Sequence, residues 1–121
     1  MSAPNIVNVS TITAKSVQAT LNTTLTTEIL ANASSSGKVF KVNNIIVANI
    51  DGSSAADASV AITKSGGSPI MIASTISVPA DATLVVINKD TALYLEEGDN
   101  IEAGASANSD LTITINYEEL S

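Results

Sequence analysis

The densest group of chemistry-bearing side chains is Glu96-Glu97-Gly98-Asp99, with Glu102 three residues beyond Asp99. Carboxylates around a glycine turn could hold a hard cation such as calcium, which takes several carboxylate and carbonyl oxygens. The D-x-[DN]-x-[DN]-G spacing of a calcium loop is missing, however, and a solvated turn between two strands accounts for the same residues. Two carboxylates flanking a cleft would also suffice for glycoside hydrolysis. Sugar platforms favour aromatic faces, and Tyr94 and Tyr117 are the only tyrosines. The sequence therefore assigns no catalytic, cofactor-binding or metal-ligating residue, and the expectation is a protein that is not an enzyme.

Composition narrows the chemistry further. There is no His, Cys, Trp or Arg among the 121 residues, and all five basic residues are Lys. A Ser-His-Asp or Cys-His nucleophile needs an imidazole, and a structural zinc site needs thiolates or imidazoles. A bidentate clamp on phosphate or guanine needs guanidinium groups. The net charge of −7 speaks against nucleic acid, because such binders gain affinity by setting clustered cations against phosphates. Asp51-Gly52 and Gly66-Gly67 are turn formers and belong to no phosphate-binding pattern. Asn8-Val9-Ser10, Asn22-Thr23-Thr24 and Asn32-Ala33-Ser34 match the glycosylation acceptor, as chance dictates in a chain so rich in Asn, Ser and Thr. The first ten residues lack the charged and apolar regions of a secretory signal, and no apolar run is long enough for a membrane span. A soluble chain with no membrane partner is expected.

The elements that must position these residues read as strands. Thr, Val and Ile favour pleated structure, and Ser and Asn favour turns by bonding the local backbone. Alternation at a period of two predicts strands over Ser16–Leu21 and Thr24–Leu30, with Ala31–Gly37 as a loop. Val39–Ile50 is the longest apolar stretch and reads as a central strand. Phe40, Val42, Asn44, Ile46, Ala48 and Ile50 fall on one face of it. Asp51–Ala58 is a second loop. Ser59–Lys64 and Ile70–Val78 then form a hairpin about the turn Ser65–Pro69. Pro79 ends that pairing. Further strands are expected at Thr83–Ile87, Ala92–Leu95, Asn100–Ala105 and Leu111–Tyr117. A helical reading of Ile6, Val9 and Ile12, or of Leu21, Leu25 and Leu30, fails on the poor helix propensity of the Thr and Asn between them.

The sum is an all-β fold: a single antiparallel β-sandwich, jelly-roll or immunoglobulin-like, of about eight to nine strands. Residues 1–15 are expected to form an N-terminal arm and residues 16–121 the sandwich. Glu118-Glu119-Leu120-Ser121 is expected to stay in solvent. Phe40 and Tyr117 read as core rings. A core of Ile, Val, Leu and Ala with a single Phe buries little area per residue, so burial against copies of itself is expected to add stability.

From Val39 to Glu119 a succession of short motifs carries a resemblance. They are Ile45-Ile46-Val47-Ala48-Asn49, Val78-Pro79-Ala80, Leu84-Val85-Val86, Lys89-Asp90, Tyr94-Leu95-Glu96-Glu97-Gly98-Asp99, Ala105-Ser106-Ala107 and Tyr117-Glu118-Glu119. In this order they resemble small virion structural proteins of tailed bacteriophages, above all phages of cyanobacteria and other marine bacteria. The resemblance implies a non-enzymatic β-sandwich present in many copies on a virion assembled in the host cytoplasm. A capsid decoration or cement protein on the head exterior is the leading expectation, and a neck, tail or fibre component is the alternative. The implied partners are copies of itself and other virion proteins, such as the major capsid protein or those of the neck and tail. From another class, a carbohydrate-binding or adhesin module would use the loops Ala31–Gly37, Asp51–Ala58 and Ser106–Asp110.

Overall fold

Runs in which Val, Ile and Thr alternate with small polar residues cannot bury a helical stripe, but they fill one face of a pleated sheet. The computed structural model describes residues 8–25 and 28–121. In these the chain forms nine strands: β1 (Ile12–Thr20), β2 (Glu28–Ala31), β3 (Val39–Asn49), β4 (Ala56–Thr63), β5 (Ile70–Val78), β6 (Thr83–Ile87), β7 (Leu93–Leu95), β8 (Asn100–Ala105) and β9 (Leu111–Leu120). A 3-10 turn, Lys89–Thr91, links β6 to β7; the Asn88 side chain accepts from the N–H groups of Asp90 and Thr91.

Two antiparallel sheets make a β-sandwich. One has the order β1-β9-β3-β6, with β7 continuing the edge beside β3, and the other runs β2-β8-β4-β5. The pairing is nested, since β1 takes β9, β2 takes β8, β3 takes β6 and β7, and β4 takes β5. Such a wound-up hairpin, its halves distributed over two sheets, is the jelly-roll order. An immunoglobulin sandwich would instead pair the first strand with the second.

The core lies between the sheets. Ile45, Val47, Ile113 and Ile115 from the first sheet meet Ala58, Val60, Ile101 and Ala103 from the second, all essentially inaccessible. Phe40 and Tyr117 close one end, ring centroids 5.2 Å apart and tilted by 36°. Both are core residues, as their alternating positions predict.

Several expectations shift. β1 begins at Ile12, so the last residues assigned to an arm already pair with β9, from Ile12 against Leu120 to Thr20 against Thr112. The rest of that arm, up to residue 7, lies outside the described residues. β4 begins at Ala56, three residues before the predicted Ser59, because Asp57 N–H finds the Ser106 hydroxyl and Ala56 pairs with Val78. The segment Glu118–Ser121 is not a solvated tail. β9 continues to Leu120 between β1 and β3, and Ser121 exchanges backbone bonds with Thr11. The faces of β3 also change midway, because a register shift between Val42 and Asn44 adds a residue and inverts the alternation. Phe40 and Val42 point inward as Ile45, Val47 and Asn49 do, whereas Ile46 and Ala48 are only half-buried on the outer side and Ile50 is exposed.

Candidate functional site

The Glu96–Asp99 segment is the turn between β7 and β8, and its carboxylates are already occupied by donors from the protein. Asp99 is 1% exposed. Its Oδ1 accepts from Ser65 N–H at 3.0 Å, and its Oδ2 accepts from Glu96 N–H at 2.8 Å and from the Lys64 ammonium. Asp99 thereby clamps its own turn to the β4–β5 hairpin, and its carboxylate holds the Lys64 ammonium above its ordinary pKa. Glu97 accepts from Gly37 N–H at 2.9 Å and so fastens the loop before β3. Glu96 reaches Lys64 at 3.1 Å from the solvent side. Glu102 takes the Thr63 hydroxyl at 2.7 Å on the outer face of the second sheet. The arrangement offers N–H and O–H donors to these carboxylates where a cation site would offer further oxygens. Gly98 is required here: its φ is +87°, and a Cβ would lie 2.7 Å from Ser65 Oγ.

Two buried amides, which sequence reading passes over, do the same work elsewhere. Asn32 donates to the carbonyls of Lys38 and Leu95 and accepts from Ser36. At 1% exposure it is no glycan acceptor. Asn49 donates to the carbonyls of Ser54 and Val78 and accepts from Asp51 N–H, pinning the opposite end of the sandwich. Next to it, the N–H and hydroxyl of Ser53 hold the Asp51 carboxyl below its usual range. The one hint in sequence is an amide standing inside or at the end of an apolar run, where it must find buried partners.

The loops nominated for sugar contact do not converge. Ala31–Gly37 precedes β3, whereas Asp51–Ala58 follows it and lies beside Ser106–Asp110 through Ile50 N–H to Asp110 O and Ser106 N–H to Asp57 O. The 11 residues of β3 separate these ends by roughly 35 Å.

At the Phe40–Tyr117 end, Glu119 receives Lys15 at 2.9 Å and Lys38 at 3.1 Å, joining β1, β9 and the start of β3. Its side chain is 13% exposed. Burial pushes the carboxyl up, but the two ammonium donors outweigh burial and hold it below the usual carboxylate range. A depressed acid contributes stability that is present above its unfolded pKa and lost as pH falls through the folded one. Thermal melts taken on the acid side of the ordinary Glu range, about 4.3, are therefore expected to show a steeper loss for the native chain than for Glu119→Gln. Coincident profiles would contradict the role given to this trio.

Of the exposed large apolar side chains among the described residues, four lie together on β5. β5 is the outer strand of the second sheet, and it exposes Ile70 (62%), Met71, Ile72 and Ile76. Two register shifts against β4, on either side of Val60, aim neighbouring side chains outward. Thr75 lies at one of these with φ +48°, a strained conformation for a β-branched residue, and its N–H is held by Ser59 Oγ at 2.9 Å. Beside it a groove of about 240 Å³ is lined by Thr23, Leu25, Asp57, Ser59, Met71, Thr75, Gly104, Ala105 and Ser106. Gly104 lines it: a Cβ there would lie 3.2 Å from Thr24 O and 3.3 Å from Leu25 Cα, so the backbone crossing over it would have to give by a few tenths of an ångström. A shallower polar depression on the first sheet is lined by Ala14, Lys15, Ser16, Asn43, Asn116, Tyr117 and Glu118.

A scan against protein-family models and a search of curated proteins each returned no match.

Proposed function

We propose that the protein is a non-enzymatic virion structural component of a tailed bacteriophage, a decoration or cement protein on the head exterior that acts through contacts with copies of itself and with capsid subunits. The observation that carries this reading is the distribution of free chemistry. The carboxylates of Asp99, Glu97 and Glu119 are bound to internal donors, whereas the large unpartnered feature is the apolar strand β5. Exposed apolar patches mark contact surfaces, and edge strands are sites of strand addition. The resemblance from Val39 to Glu119 supplies the kind of assembly. The −7 charge suits an outer surface, because an inner lining facing packaged DNA would call for cations. The jelly-roll order itself decides nothing, since one architecture hosts many functions.

A place in the neck, tail or fibre is the alternative within the same class. An adhesin is less well supported, since Ala31–Gly37 sits at the opposite end from the other two proposed loops. The reading is tested by quantitative mass spectrometry of purified particles from cells that express the chain. Recovery in many copies per particle, at a fixed ratio to the major capsid protein, is expected, and absence from particles would overturn it.

A further inference from the structure

We infer that β1 is an exchangeable strand: it leaves β9 of its own chain and lies, in the same antiparallel register, on β9 of a second copy. This inference stands independently of the virion reading and does not involve β5. β1 is held almost entirely by its backbone. Along Ile12–Thr20 every side chain is exposed except those of Val17 and Ala19, which are half-buried, and Ile12 is 58% exposed. Among the described residues, the one side-chain bond from this strand to the rest of the protein runs from Lys15 to Glu119. Ladder bonds open to water give little net stability against the entropy of ordering the strand, so such an edge opens at far lower cost than global unfolding. The opening also has a defined end. Leu21 is 2% exposed, its N–H bonds Leu111 O at 2.8 Å, and its carbonyl accepts from Ser109 N–H. Asn22 O accepts from Ala105 N–H, and Thr23 N–H bonds Asn108 Oδ1. Leu21 to Thr23 are thereby fixed to the sandwich, and the Thr20–Leu21 junction is the hinge.

Register and charge select β1 of a second copy as the occupant. The edge of β9 is already matched, residue by residue, to Ile12–Thr20, and the same strand from another copy reproduces each of those contacts. Closed and exchanged forms then differ only at the hinge and in the entropy of association, so protein concentration decides between them. Donor and acceptor are also opposite in charge. Lys15 is the only charged side chain before Glu28, which makes β1 a cationic strand in a chain of net charge −7. On β9 it meets Glu118 opposite Ala14 and Glu119 opposite Thr13.

The test exploits a chain with no cysteine of its own. Gln18 and Thr114 are register partners, and Gln18→Cys and Thr114→Cys are made in separate full-length chains, so that any disulfide between these positions joins two molecules. Mixed at high concentration under mild oxidation, they are expected to form a linked heterodimer at least about tenfold faster than Gln18→Cys mixed with Val85→Cys. Val85 is 56% exposed on β6, the opposite edge of the same sheet, and reports random collision. Far-UV circular dichroism verifies folding of each variant. Hydrogen exchange of the native chain gives a second reading that needs no substitution: ladder amides of β1 are expected to exchange at least about a hundredfold faster than those joining β9 to β3. Cross-linking to Thr114→Cys no faster than to Val85→Cys overturns the inference, as do β1 amides protected as well as those between β9 and β3. None of these outcomes bears on whether the chain is found in particles.

Discussion

Asp99→Ala is expected to cost about 3–4 kcal/mol, a large share of the order of 5–15 kcal/mol that holds a domain of this size together. The Asp99 carboxylate is one of the most deeply buried polar groups in the protein, and it is the acceptor for two backbone N–H groups and one ammonium. Its removal strands the N–H groups of Ser65 and Glu96 and frees the turn from the β4–β5 hairpin. At about 4 °C per kcal/mol for a chain this long, the melting temperature should fall by about 12–16 °C. Lys64→Met should cost much less, about 1–2 kcal/mol, because the lysine is 47% exposed and two N–H groups still face the carboxylate. The asymmetry separates an architectural clamp from a cation site. Calcium at millimolar concentration is expected to leave the melting temperature of the native protein unchanged. A clear rise, or equal losses for the two variants, would contradict the clamp.

Ile115→Ala should be as damaging, at about 3–4 kcal/mol, with Ile115→Val costing only about 1 kcal/mol. Ile115 is fully buried at the middle of β9, paired with Val17 of β1 on one side and Ile45 of β3 on the other. Its neighbours are held in three sheet strands and cannot collapse into the space left by the missing atoms. The nearest ring, Tyr117, lies two residues along the same inward face of β9 and is held against Phe40, ring centroids 5.2 Å apart, so it is not free to swing into the cavity. Urea denaturation should show the graded loss at an unchanged m-value. A cost below about 1 kcal/mol for the alanine variant would mean that the sandwich is looser than its packing implies.

Much of this architecture is legible in sequence because the period of two survives wherever one face is buried. The β4–β5 hairpin, the turn at Pro79, the central position of β3 and the inward rings of Phe40 and Tyr117 all follow from alternation and turn chemistry. The failures share a cause: they depend on residues distant in the chain. The bulge at Asn43 inverts the faces of β3, and nothing local marks it except two adjacent asparagines. Glu119 looks solvated until Lys15 and Lys38, from the other end of the chain, are brought to it. Asp99 reads as one carboxylate among several because its partners Lys64 and Ser65 belong to another hairpin.

Ile70-Met71-Ile72 of β5 has the composition of a covered strand. In the fold it is the uncovered edge. That mismatch between composition and position, rather than any constellation of polar groups, gives this protein its candidate function.

Cryo-electron microscopy of intact particles tests the proposed role most directly. Density fitting this nine-stranded sandwich is expected in many symmetry-related copies on the outer surface of the head, with β5 buried against a neighbour. Particles whose maps have no such density outside the shell, or a sandwich bound there with β5 facing solvent, would contradict it.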